Sequence, residues 1–330
     1  MDSQFLLGLT SGGILVALGA ILTHILTVRR ESGGQAFDKA QESDRVRRQQ
    51  YRIALEYHRA PVSLRDFDLS GRNLRGIDLH EADLQGADLR GADLRAAKLE
   101  WADLKEARVD QTTQIDDKWR LVWQIVNCGA PGRDLHGADL SRANLRGACL
   151  QKADLEAAHL RNVLLEGADL EASNLTGADL GGAKLQGANL RGARAHGAKM
   201  RDANLQGAIL TSATLEEADL ERADLWRGQL RGAQLREANL ENAGMAGINL
   251  EGSDLERANL RGARLPDANL VAAILAGADL QKADLLGANL AGADLSGANL
   301  RDASLDKKTV MPKGWEEVVA SMPREVHIIR

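Results

Sequence analysis

The chain has 330 residues, with 42 Lys and Arg against 47 Asp and Glu, for a formal net charge of −5. That charge is too small for this length to mark a nucleic-acid binder or a polyanion. Only two cysteines occur, Cys128 and Cys149, with no C-x-x-C pair and no zinc-ligand spacing, so they read as reduced thiols in a cytosolic compartment.

The N-terminus is compositionally distinct. The run from Phe5 to Val28, "FLLGLTSGGILVALGAILTHILTV", contains no Asp, Glu, Lys or Arg. Crossing a hydrocarbon core of about 30 Å takes roughly 20 apolar residues, so this segment is long enough to span. A secretory signal begins with basic residues, whereas this chain begins Met-Asp-Ser-Gln and places Arg29 and Arg30 after the apolar run. Residues 1–28 therefore read as a transmembrane anchor through residues 5–28. Arg29, Arg30, Arg45, Arg47 and Arg48 lie downstream of it, which makes this a single-pass membrane protein with the bulk of the chain in the cytoplasm. Residues 29–61 form a charged juxtamembrane linker. Ser32-Gly33-Gly34 is a flexible joint, and a helical pattern from Asp38 to Tyr57 is expected to cover the opening of the next segment, at residue 62.

From residue 62 the chain acquires a period of five. In "EADLQGADLRGADLRAAKLEWADLKEA", Glu81 to Ala107, leucine recurs every fifth residue with alanine two places before it. A helix turning 100° per residue would scatter those leucines around its surface. A straight strand would alternate them between faces, because five is odd. The chain must therefore turn within every unit. Alanine and leucine point inward from a short extended piece, and the next two residues, often including Gly, make a corner. Four corners of about 90° close a coil of twenty residues, and coils stack at about 4.8 Å.

The unit A-(D/N)-L-x-x, as in Ala82-Asp83-Leu84, Ala87-Asp88-Leu89 and Ala288-Asn289-Leu290, resembles the pentapeptide repeat family. The resemblance covers about two thirds of the chain. It implies an all-β solenoid, a right-handed quadrilateral parallel β-helix, and it implies little about function because the family is functionally diverse.

The first block, residues 62–109, opens with Val62, Phe67, Arg72 and Ile77 where alanine stands later, as expected of a terminal coil that must be capped. The rhythm then slips by one residue across a helical insertion at 110–134. There Asp116 or Asp117 can cap a helix whose Trp119, Val122, Trp123 and Val126 share a face, and that face is expected to pack on the solenoid. The second block fills 135–305, with Ala195, Met200 and Met245 in place of leucine. A cap follows at 306–330, with a short helix expected over Gly314 to Met322 and a strand over Val326 to Ile329.

Nearly every inward position is Leu or Ala, which leaves no room for a cofactor, and none is expected. No G-x-S-x-G, H-E-x-x-H or P-loop occurs, so no catalytic or metal site is expected and the chain does not read as an enzyme. The Asp and Asn residues before leucine are expected to bond turn backbone.

Two functions remain. The resemblance raises a DNA-mimic regulator of a nucleic-acid enzyme such as DNA gyrase. That role needs a strongly negative rod, yet residues 135–305 carry 23 Asp and Glu against 18 Lys and Arg, with signs interleaved. The preferred reading is a membrane-tethered scaffold for protein–protein interaction. Folding the second block at twenty residues per coil lines up Trp226, Ala246, Pro266 and Leu286. Val271 and Ala291 fall on an adjoining face, with Ile274 beyond them. Contiguous exposed apolar surface of this kind marks a partner site or a surface covered by the tail. The expected partners are an unidentified protein and the membrane, with no nucleic acid; a homo-oligomer is left open.

Overall fold

The computed structural model describes residues 62–315 and 327–329. The anchor at 5–28, the linker helix over 38–57 and most of the tail helix over 314–322 fall outside the described residues. Among the described residues no helix is long and apolar enough to cross a membrane.

Parallel bridges join residues twenty apart along most of the described chain. They pair Ser63 with Asp83, Asp83 with Asp103 and Asp134 with Asp154, and continue to Asp284 with Ser304. With five residues per side, each coil is four-sided. A tight turn makes each corner: across one of them the Ala188 N–H donates to the Leu185 carbonyl at 3.0 Å. Gly187, the third residue of that turn, has φ 64, the conformation that favours glycine. Charged residues hold the same place elsewhere, among them Lys152 at φ 58 and Arg257 at φ 57. A left-handed conformation costs an L-residue about 1–2 kcal/mol. It persists because the corner N–H is committed to the next coil, as when Lys152 donates to the Glu171 carbonyl at 2.8 Å.

The inward residues form a closed apolar tube. Leu140 through Leu190 at five-residue intervals are fully buried, and Ala195, Met200 and Met245 are buried equally in leucine's place. Where the residue before leucine is Asp or Asn, its side-chain oxygen commonly accepts from the backbone N–H two residues on, at the next corner. Asp224 accepts from the Trp226 N–H at 3.1 Å, and Asn269 from the Val271 N–H at 3.2 Å. These bonds bear out the expected role of the Asp and Asn residues.

One helix interrupts the coils: α1, Asp117–Cys128, which buries Trp119, Val122 and Ile125. Trp123 is half-buried and donates its indole N–H to the Ala107 carbonyl at 2.6 Å. The insertion therefore packs its tryptophan face on the solenoid, as the spacing predicts. The third buried position is Ile125 rather than Val126, which is half-buried, so the contact stripe lies one residue off the expected one. Asp116 is the N-cap, but its side chain makes no cap bond. It accepts instead from the Ala96 N–H at 3.1 Å, satisfying a backbone donor of the coil.

The one-residue slip sits in a widened corner, Asp110-Gln111-Thr112-Thr113. The next bridge, Asp93 to Gln114, is accordingly longer by one position than those before it. Thr113 then faces inward at 2% exposure, and buried Ile115 takes leucine's place, so the repeat register runs past Val109 to Ile115. Beyond α1 it resumes at buried Ala130, whose N–H donates to the Cys149 carbonyl at 2.8 Å. The second block ends the same way, at Asp306-Lys307-Lys308-Thr309, and the bridge from Asn289 to Val310 is lengthened by the same single position.

Most hydrogen bonds of the two corners correspond, the exception being the Thr112 hydroxyl, which donates to Asp110 where Lys308 offers only its backbone N–H. The threonine N–H donates to the aspartate Oδ1 at 3.0 Å in both. The threonine hydroxyl lies 3.0 Å from the Leu89 carbonyl in one and 3.0 Å from the Leu285 carbonyl in the other. The N–H of Gly91 or Gly287 in the preceding coil completes the aspartate's set. A tryptophan, Trp119 or Trp315, follows each threonine by six residues. After the second corner the tail returns as a strand. β1, Ser304–Asp306, pairs in parallel with β2, His327–Ile329, placing Ser304 opposite His327 and Asp306 opposite Ile329.

The widened corners should make stability acid-sensitive. Hydrogen bonds, chiefly from the Thr112 hydroxyl, hold the Asp110 carboxyl down to about 2. Asp306 is lowered too, foremost by the Gly287 N–H. A carboxyl whose folded pKa lies below its unfolded one stabilises the fold above the unfolded value, and that contribution is lost as pH falls through the folded value. Melting temperature should therefore drop between about pH 4 and pH 2. Asp110→Asn combined with Asp306→Asn should flatten that part of the profile, and an unchanged slope would contradict this assignment.

Candidate functional site

Backbone bonds confirm the alignment of the first line of apolar residues. The Arg227 N–H donates to the Ala246 carbonyl at 3.0 Å, Gly247 to Pro266 at 2.9 Å and Asp267 to Leu286 at 2.8 Å. Trp226, Ala246, Pro266 and Leu286 thus occupy one corner of four successive coils. Trp226 is 44% exposed, and the Arg227 guanidinium lies 4.5 Å from its ring centroid. Ala246, Pro266 and Leu286 are half-buried.

Val271 and Ala291 stack on the next corner, where the Ala272 N–H donates to the Ala291 carbonyl at 3.0 Å. Both are half-buried. The flat side between the two corners carries a polar line that the sequence alone did not single out, made of Gln229, Asn249, Asn269 and Asn289. The Asn269 amide donates to Asn249 Oδ1 at 3.1 Å and the Asn249 amide to Gln229 Oε1 at 3.5 Å, so three of the four are bonded along the line. Ile209, 40% exposed, continues it upstream. Ile274, 39% exposed, lies around the following corner and is bridged to Asp254 and Asp294. The structure therefore places six of the seven residues in two lines astride an asparagine ladder and sets Ile274 apart. The ladder was legible at the position before each leucine, read every twenty residues.

What distinguishes this surface is its lack of charge. On the two corners and the side between them, the coils starting at Ala246, Pro266 and Leu286 present fifteen outward residues, of which only Glu251 and Asp267 are charged. Other sides of the second block carry ion ladders. Arg222 pairs with Asp202 at 2.8 Å, and Arg236 with Glu256 at 2.8 Å. Exposed pairs of this kind contribute about 0–1 kcal/mol each and describe solvated faces. Among the described residues no three His, Cys, Asp or Glu side chains are placed to hold a metal ion.

The repeat itself identifies the family. The Pentapeptide repeats profile matches in eight copies, over residues 63–111, 132–162, 153–192, 188–227, 233–271 and 273–307. The chain is a pentapeptide repeat protein. The match stops at 111 and resumes at 132, on either side of α1.

Among solved pentapeptide repeat proteins, HetL of the cyanobacterium Nostoc, involved in heterocyst differentiation regulation, is 35% identical. The alignment covers 75% of this chain and 92% of HetL, with a TM-score of 0.54. A pentapeptide repeat protein of the Arabidopsis thaliana thylakoid lumen is 34% identical over 31% of this chain and 71% of its own, with a TM-score of 0.30. QnrB1, a plasmid-mediated fluoroquinolone resistance protein, is 17% identical over 51% of this chain and 84% of its own, also with a TM-score of 0.30. No curated protein sequence matches this pentapeptide repeat protein.

Proposed function

We propose that this pentapeptide repeat protein is a membrane-tethered scaffold that holds a partner protein on the cytoplasmic face. Residues 5–28 are the tether, and the basic residues after them set the orientation. The partner engages the two apolar lines and the asparagine ladder between them. The observation that carries this reading is the charge-poor surface at the C-terminal end of the second block, on a solenoid whose other sides are laced with ion pairs. Apolar atoms beside neutral amides, some of them bonded to one another, cost less to desolvate than solvated charges do.

The test is crosslinking of the full chain in native membranes with a photoreactive group at Trp226. One specific neighbour should be captured. It should be lost in the Val271→Glu/Leu286→Glu variant, whose melting temperature should fall no further than that of the matching Val271→Ala/Leu286→Ala variant, and lost when residues 1–28 are deleted. If the tail covers the surface, the glutamate variant melts lower than the alanine one and the neighbour is unaffected, which would refute the proposal.

A further inference from the structure

α1 ends at Cys128, and Gly129 closes it with φ 71. The chain then rejoins the solenoid directly over Cys149. The Ala130 N–H donates to the Cys149 carbonyl at 2.8 Å, and the Gly132 N–H to the Gln151 carbonyl at 2.7 Å, in the offset that stacks the coils of the second block up to its widened corner. Residue 129 therefore sits on residue 149. A Cβ built at Gly129 would lie 3.6 Å from the Cys149 Cβ. A side chain at position 129 would therefore be in van der Waals contact with Cys149, and Cys128 is its immediate chain neighbour. Glycine puts no side chain of its own between Cys149 and the Pro131 ring, whose Cδ would lie 3.5 Å from a Cβ at 129, and the thiol of Cys128 is one residue away. Both cysteines are exposed.

We infer that Cys128 and Cys149 form a reversible intramolecular disulfide, a redox staple across the junction of the two repeat blocks. The oxidant class is a low-molecular-weight disulfide such as oxidised glutathione. One protein thiolate attacks a glutathione sulfur, forms a mixed disulfide and releases one glutathione thiolate. The second protein thiolate attacks the protein sulfur of that mixed disulfide, expels the second glutathione and closes the bond. The protein gives up two electrons and two protons, and one oxidised glutathione becomes two reduced ones.

The bond ties together elements held to different blocks. Next to Cys128, the Asn127 side chain donates to the Leu104 carbonyl at 2.9 Å and accepts from the Glu106 N–H, both in the first block. Cys149 belongs to the first coil of the second block and bridges to Asp169. Reduced, the blocks meet through hydrogen bonds, among them Trp101 N–H to the Arg142 carbonyl at 2.7 Å. Oxidised, they are joined covalently at α1.

The experiment treats the full chain with oxidised glutathione, blocks remaining thiols and digests with trypsin without reduction. Peptides 121–133 and 147–152 should appear joined, with the mass of two hydrogens missing, and reduction should separate them. Cys128→Ser and Cys149→Ser should each carry a single glutathione adduct instead. Closure should run roughly tenfold or more faster in the folded chain than in urea, because the fold raises the effective concentration of one thiol at the other. Wild-type protein carrying two glutathione adducts, a disulfide between two chains, or a closure rate no higher than in urea would overturn the inference.

Discussion

Leu285→Ala should destabilise the last coils by about 2–5 kcal/mol, the range for removing a leucine from a packed interior. Leu286→Ala, one residue along, should cost about 1 kcal/mol or less. Composition and chain neighbourhood are nearly the same for the two residues. Only the coil separates them, turning Leu285 wholly into the tube and leaving Leu286 half-buried on the corner. The tube is narrow and lined by alanine on alternate inward positions, so little can collapse into the space a lost leucine leaves. Because each coil contacts mainly its neighbours, unfolding need not be all-or-none. Hydrogen exchange of residues 265–310 is therefore the right readout, and equal loss of protection in both variants would refute the register at that point.

Trp119→Ala should be the most damaging single change at the junction, at about 3–5 kcal/mol. Trp119 is 6% exposed, and the Lys118 ammonium stands 5.0 Å from its ring centroid. Lys118→Gln removes that cation and the partly exposed pair with Asp139 at 3.0 Å. It should cost no more than about 1 kcal/mol, which separates the burial of the ring from its electrostatics. Lost protection should centre on α1 and the adjoining coils and leave residues 200–300 as in wild type. A uniform loss along the whole solenoid would mean that α1 governs the entire rod rather than its joint.

The period, the inward and outward positions and the columns were legible because five-residue spacing admits only a chain that turns in every unit. The tryptophan face of α1 was legible because helical spacing stands out against that period. The block ends were harder to read. Counting leucines stops at Val109, whereas the coil continues through Thr113 and Ile115 by adding one residue to a corner. The signal was present in the recurrence of Asp-x-x-Thr at both block ends, each with a tryptophan six residues on. Its meaning lay in hydrogen bonds that composition does not reveal. The candidate surface was half legible. Its apolar lines follow from the twenty-residue count, but the asparagine ladder between them looked like ordinary turn chemistry until Asn269 was seen to reach Asn249.

The constancy of the coil length has a kinetic consequence. Every bridge between described coils closes a loop a single coil long, whether its corner is standard or widened. The entropic cost of closing a loop rises with its length, so a domain of this size in an ordinary β topology would have to bring distant segments together late and slowly. Here the last coil costs no more to close than the second, and each finished coil templates the next. Growth should proceed as a front that advances one coil at a time and pauses at Asp110–Thr113, where the following segment must first wind into a helix.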